Sequence, residues 1–327
     1  MADRTLSLLS LDGGGIRGLS SLHILKHLME CINPEDPPKP CDYFDMIGGT
    51  GSGGLIAIML GRLKMDIYQC IHAYKRLMQH VFTRKRLSLG TGLGSKAKYD
   101  SRRLESALKT ILKELGYEKD ALLRDDDITC RVFVCVTDDS SEKLLSLTSY
   151  PSKYCSNELF KSARVWEATQ ATFAHTALFE PVTIGPSNRK FHDSTREAGN
   201  PIREVWIEAK GIWPSGTLER QLRCMVSIGV GTPSIKRSAG RGSFGMKKKA
   251  SGDAANTEAE MNKFIQEHSE LDDDGRLFRF DVPNGLADIK QDGIGELSTI
   301  VDETQNYLTK ELIYKQLRKC GKALRGI

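Results

Sequence analysis

Apolar residues fall along this chain in two rhythms, short unbroken runs and longer stretches repeating every three or four positions, and the two alternate. Leu6–Leu11 is a short run closed by Asp12 and three glycines, which predicts a buried strand. Leu19, Leu22, Ile24, Leu25 and Leu28 then follow a helical period. After a proline-rich connection over Asn33–Pro40, Tyr43–Ile47 reads as the next strand, Gly48–Gly54 as a sharp turn and Leu55–Leu60 as the start of a buried helix. Met65–His80 and Ser101–Leu115 have the spacing of amphipathic helices, the second opened by Asp100 or Ser101 as N-cap. Arg131–Val136 and Leu144–Ser149 read as strands, Val165–Phe173 and Ile202–Ile212 as helices, and Cys224–Ile228 as a strand running into Gly229-Val230-Gly231. Leu297–Leu324 reads as one amphipathic helix that packs onto the rest. Strands alternating with helices predict an α/β fold, a mostly parallel central sheet sandwiched by helices, with its cleft at the C-terminal strand ends where the glycine loops lie.

Composition narrows the classes of function. The chain has 327 residues with 47 basic and 42 acidic side chains, and no internal repeat, so one domain over 1–327 is expected. A net charge of +5 without an aromatic-interleaved basic stripe argues against nucleic acid. The longest apolar run, Leu55–Leu60, is far short of the roughly 20 residues that cross a bilayer. The N-terminus lacks the apolar stretch of a secretory signal, and the eight cysteines have no CxxC pairing. Together these predict a cytoplasmic protein with reduced thiols, and no metal or cofactor. Lys236, Arg237, Arg241, Lys247, Lys248 and Lys249 lie in a stretch without acids. A solvated flexible loop over 236–256 is the plain reading, and peripheral contact with an anionic membrane surface is the sharper one. Residues 290–327 form a C-terminal helical segment in this reading.

Two glycine turns carry the candidate chemistry. Asp12-Gly13-Gly14-Gly15-Ile16-Arg17-Gly18 matches G-x-G-x-x-G at 13, 15 and 18, a dinucleotide fingerprint, yet three adjacent glycines equally make a nest of N–H groups for an oxyanion. Gly48-Gly49-Thr50-Gly51-Ser52-Gly53-Gly54 follows a strand and opens an apolar helix, the setting of a nucleophile elbow. Dinucleotide binding ranks last, because the second strand ends without the acidic residue that would hold a ribose. The G-x-S-x-G frame centres on position 51, which is glycine.

These two turns, with Phe44-Asp45-Met46-Ile47, Lys96-Ala97-Lys98-Tyr99-Asp100, Val165-Trp166-Glu167-Ala168-Thr169 and Asn200-Pro201-Ile202-Arg203-Glu204-Val205-Trp206 in the same order, closely resemble the patatin-like phospholipase family, its fungal branch in particular. The resemblance implies acyl-ester hydrolysis by a Ser-Asp dyad. A serine in G-x-S-x-G attacks, an aspartate of D-G-[GA] activates it, and the D-G-G-G turn binds the oxyanion. It places the oxyanion turn at Gly13, Gly14 and Gly15 with Arg17, and the aspartate at Asp193. It also marks departures: Gly51 stands at the nucleophile position, Ser194 replaces the glycine of D-G-[GA], and Phe173 and His175 replace small residues. His192 precedes the aspartate.

Three functions follow as expectations. The first is a repurposed cleft that binds an apolar, acyl-like or polycyclic ligand and carries out non-hydrolytic chemistry such as cyclisation or isomerisation, with Asp193, His175 and His192 doing acid–base work. The second is a lipid acyl hydrolase using Ser52 and Asp193, against which Ser52 reads as a helix-capping hydroxyl. A shift of one residue in the first helical turn swings a side chain by about 100°. The third is a non-enzymatic pseudo-hydrolase module of a larger signalling protein. Each histidine taken alone reads as a hydrogen-bonded structural residue.

Overall fold

The computed structural model describes residues 5–83, 97–213, 216, 218–234 and 252–326, without the side chains of 252–255. The basic stretch 236–249 lies outside the described residues. An eight-stranded sheet runs through the middle, made of β1 (Leu6–Leu11), β2 (Met46–Thr50), β3 (Arg131–Asp138), β4 (Leu144–Thr148), β5 (Val182–Ile184), β6 (Arg189–Asp193), β7 (Leu222–Ile228) and β8 (Leu277–Phe280). Its order is β5-β6-β3-β2-β1-β7-β8, with β4 paired to β3. The pairs among β3, β2, β1, β7 and β8 are parallel, while β4, β5 and β6 join antiparallel.

Both faces of the parallel strands are buried, which is why they are continuously apolar rather than alternating apolar and polar. Side chains nonetheless alternate between two cores. Leu9, Leu11, Ile47, Val132, Val134, Cys224 and Val226 enter one, while Leu8, Met46, Phe133, Cys135 and Met225 enter the other. The first core is covered by α1 (Gly18–Ile32), α2 (Gly51–Ala57), α3 (Ile67–Val81), α4 (Ser101–Glu114) and α6 (Val165–Phe173), the short α5 (Asn157–Ser162) preceding the last. The second is covered by α7 (Ile202–Ile212) and the segments that follow it, α8 (Leu218–Gln221), α9 (Gly252–Glu267) and α10 (Ser269–Asp273). Finally α11 (Leu297–Leu308) and α12 (Glu311–Arg325) pack on α1. Local caps set the starts: Asp66 and Gln69 form a capping box on α3, and the Asp100 carboxylate accepts the N–H of Arg102 at the head of α4.

Four expectations shift. The strand expected at Tyr43–Ile47 runs instead over Met46–Thr50, after a 3-10 turn at Pro40–Asp42. Gly48 is therefore a strand residue and not a turn residue: a Cβ on it would lie 2.4 Å from the Phe133 ring, so close packing on the neighbouring strand calls for glycine there. The single helix expected over Leu297–Leu324 breaks at Thr309–Lys310 into α11 and α12. From Gly252 the chain is helical, so the expected loop over 236–256 does not extend past that residue. The pattern also missed β5, β6 and β8, which are short and carry polar residues at Thr183, Arg189, Lys190, His192 and Arg279.

Arg279 on β8 closes the C-terminal edge of the sheet. Its guanidinium makes two bonds to the buried Asp12 carboxylate, 3.1 and 2.6 Å, and a third, 2.8 Å, to Asp281. A bidentate pair in this setting fixes the end of β1 relative to β8. Arg279→Leu would leave Asp12 buried without its partner and is expected to lower the unfolding free energy by about 3 kcal/mol. Urea denaturation followed by tryptophan fluorescence measures it, and a loss below about 0.5 kcal/mol would show that the pair does not hold this edge.

Candidate active site

The site is built where β1 and β2 end side by side. Past Leu11 the chain enters the Asp12–Gly15 turn and a 3-10 turn over Gly15–Arg17 before α1; past Thr50 it turns at once into α2. Gly51 takes φ +54°, the left-handed region that a non-glycine residue enters only under strain. Its N–H donates to Thr172 Oγ1 at 3.0 Å, and that hydroxyl donates to the carbonyl of Cys135 at 2.8 Å. A Cβ on Gly51 would stand 3.2 Å from Thr195 Oγ1 and 3.7 Å from Asp193 Oδ2.

Asp193 ends β6 and reaches the turn through strand register. On β3, Cys135 pairs with Thr50 and the next residue, Val136, pairs with Asp193. Because β4 pairs with Phe133 to Thr137, β2 and β6 follow each other along the opposite edge of β3. Burial pushes the Asp193 carboxyl above the ordinary carboxylate range, against the lowering influence of His175, of the hydroxyl and N–H of Thr195, and of His192. Thr195 Oγ1 donates to Asp193 Oδ2 in a short bond.

Ser52 is buried, and its hydroxyl is engaged away from Asp193. Ser52 Oγ accepts the N–H of Gly14 at 3.0 Å, and the nearby Tyr74 hydroxyl donates to the carbonyl of Gly15. It caps the glycine turn and not its own helix. No hydrogen bond joins Ser52 to Asp193 among the described residues. The N–H of Gly13 is likewise taken, by the carbonyl of Gly199 at 3.1 Å.

Gly14, Gly15, Gly51, Ser52, Asp193, Phe173 and His175 therefore line one crevice, together with Phe82, Leu178, Thr195 and Gln291. Its volume is about 10 Å³, room for a single water. A second crevice of about 10 Å³ lies on the other side of Thr195, against Gly13 and Arg17. Arg17 Nε donates to the carbonyl of Gly14 at 3.1 Å. His175 is half-buried and its Nδ1 accepts the N–H of Ala177. His192 is not brought to the crevice. As the neighbour of Asp193 on a strand it faces the other way, and its Nδ1–H donates to the carbonyl of Asp193 at 3.0 Å. Phe173 packs on Phe82 and Phe179, which in turn meet each other and Tyr99, with paired ring centroids 5.1 to 6.1 Å apart, as an apolar wall.

Sequence reasoning missed Tyr74, Thr172, Thr195 and Arg279. Thr195 stands two residues past the aspartate, next to Ser194. The other three lie on elements whose approach to the turns no local pattern records.

A model of the family described as patatin-like phospholipase matches residues 9–206, more than half of the chain. The chain is 29% identical over 237 residues to the calcium-independent phospholipase A2-gamma of Rattus norvegicus, covering 70% of this chain and 29% of that protein. It is 26% identical over 348 residues to patatin-like phospholipase 1 of Plasmodium falciparum, covering 98% of this chain and 50% of that protein. The chain thus spans half or less of the length of these relatives. The crystal structure of VipD from Legionella pneumophila aligns at 11% identity with a TM-score of 0.37, over 93% of this chain and 68% of that one, too loose a likeness to carry weight.

A raised carboxyl has a measurable consequence. The native state keeps the Asp193 proton to a higher pH than the unfolded chain does, so its contribution is present below the unfolded value and is lost as pH rises through the native one. Relative to Asp193→Asn, which does not titrate, the wild-type chain is expected to lose stability as pH rises through and above the ordinary carboxylate range. Paired urea titrations across that range test it, and a wild-type chain that gains on the variant with rising pH would mean that the carboxylate is held charged instead.

Proposed function

This chain belongs to the patatin-like phospholipase family, and we propose that its cleft has given up acyl-serine chemistry and binds the polar head of an apolar, acyl-like or polycyclic ligand. One observation carries the reading. Position 51, where the nucleophile would stand, is glycine, and of the neighbouring hydroxyls Ser52 turns to the N–H of Gly14 and Thr195 to Asp193. Covalent catalysis needs a hydroxyl whose proton the aspartate takes as the oxygen attacks. Ser52 Oγ turns to the N–H of Gly14, and no hydrogen bond joins it to Asp193 among the described residues.

The groups that remain suit acid–base chemistry. Asp193, with its carboxyl raised, serves as a proton donor to a carbonyl or double bond in the ligand, and His175 beside it completes the proton path. Such a pair supports isomerisation or cyclisation without an acyl intermediate. The crevice admits only a water as it stands, so a ligand enters by parting the aromatic wall of Phe82, Phe173 and Phe179. The hydrolase reading rests on the named activity of the relatives and on Ser52 lining the same crevice as Asp193. The module reading rests on how little of the longer relatives the chain spans.

A fluorophosphonate probe separates these. The chain is expected to stay unmodified by intact mass, and to bind a fluorescent fatty acid that oleate displaces. Oleate at 100 times its dissociation constant would raise stability by about 2.7 kcal/mol. A stoichiometric adduct on Ser52, lost in Ser52→Ala, would establish the hydrolase instead; neither adduct nor binding would leave the module.

A further inference from the structure

We infer that Thr195 is a positioning residue that holds Asp193 in the place of the missing serine, so that two substitutions and not one separate this cleft from an acyl-serine site. The inference rests on reading position 51 as the place of the nucleophile. Its own grounds are geometric. Thr195 is 3% exposed and lines both crevices, as Gln291 does. Its hydroxyl donates to Asp193 Oδ2.

A serine at 51 would carry its Cβ 3.7 Å from Asp193 Oδ2, so its hydroxyl, one bond further, would reach for the oxygen that Thr195 already holds. The same Cβ would be 3.2 Å from Thr195 Oγ1, tighter than ordinary van der Waals contact. Two hydroxyls would then compete for one oxygen in one small space. A carboxylate that accepts the threonine hydrogen bond is also a weaker base toward the newcomer. Removing the threonine hydroxyl relieves both conflicts.

The surrounding turn does not depend on that hydroxyl. Ser194 Oγ bonds Thr50 Oγ1 at 3.1 Å, and the Ser194 carbonyl accepts the N–H groups of Glu197 and Ala198 at 3.1 and 2.7 Å. Truncation at 195 therefore leaves the path of the backbone anchored on either side.

The test compares the wild-type chain, Gly51→Ser, Gly51→Ser with Thr195→Ala, and Gly51→Ser with Thr195→Ser, each checked for cooperative thermal unfolding. In the labelling step the hydroxyl oxygen at 51 forms a bond to the phosphorus of a fluorophosphonate, fluoride leaves, and the hydroxyl proton passes to Asp193. The adduct is mapped to its peptide and its rate measured against pH. The Gly51→Ser, Thr195→Ala chain is expected to label at position 51 faster than Gly51→Ser alone by about a hundredfold, the cost of a misplaced reacting group. Its rate should rise with pH as Asp193 loses its proton. The conservative Thr195→Ser version should return to the slow rate, which a merely steric role of the threonine methyl would not produce. Equal rates for Gly51→Ser with and without Thr195→Ala, or a folded double variant that stays unlabelled at 51, would overturn the inference. Should Thr195→Ala fail to fold, Thr195→Gly takes its place in the same comparison. An adduct on Ser52 in the wild-type chain would overturn the proposed function alone, since the rates at position 51 still decide the role of Thr195.

Discussion

Everything at the candidate site depends on one edge of one strand. β3 presents Cys135 to Thr50 and then Val136 to Asp193, so the strand that carries the aspartate ends beside the point where the strand that leads to the glycine turn stops. A slip of one residue on that edge would turn His192 toward the crevice and Asp193 away from it, because strand side chains alternate. Thr172 ties the register to the turn, joining the carbonyl of Cys135 on the ruler strand to the N–H of Gly51 at the bend. Buried Phe191 and Ile184 keep the β5–β6 hairpin seated in the core. The distance from Asp193 to Gly51 is therefore a property of the sheet and not of either loop.

The polar groups gathered there are mostly answered from within the protein. An amide or carboxyl buried without a partner is costly, and a crevice of about 10 Å³ cannot supply a chain of waters. Gly13 N–H finds the carbonyl of Gly199, Gly14 N–H finds Ser52, Tyr74 finds the carbonyl of Gly15, and Asp193 finds Thr195. A ligand that enters must offer better partners than these hydroxyls or displace them, which sets a chemical demand on its polar head and an apolar one on the rest, since Phe82, Phe173 and Phe179 close the crevice.

The two glycine turns now have distinct physical roles. The first presents backbone groups that neighbouring side chains cap. The second sends the chain from a central strand into a helix through a left-handed residue, the geometry that holds a side chain up at the mouth of a cleft, here with no side chain to hold. Serine at the following position inherits none of that placement, because its hydroxyl lies over the first turn.

By itself the amino-acid order determined the elements with a strong period, among them Leu6–Leu11, Val165–Phe173 and Ile202–Ile212, and with them the α/β architecture and the family. It also placed Asp12 and the first glycine turn at a strand end, since that motif is local, while Asp193 came only from the family resemblance. Only the folded chain decided that His192 faces away, that Ser52 answers Gly14, that Thr195 answers Asp193 and that Arg279 closes on Asp12. The physical reason is one of range. Periodicity encodes which face of an element is buried, whereas the partner of a buried hydroxyl or carboxylate is chosen by strand register between segments as many as 267 residues apart, as Asp12 and Arg279 are.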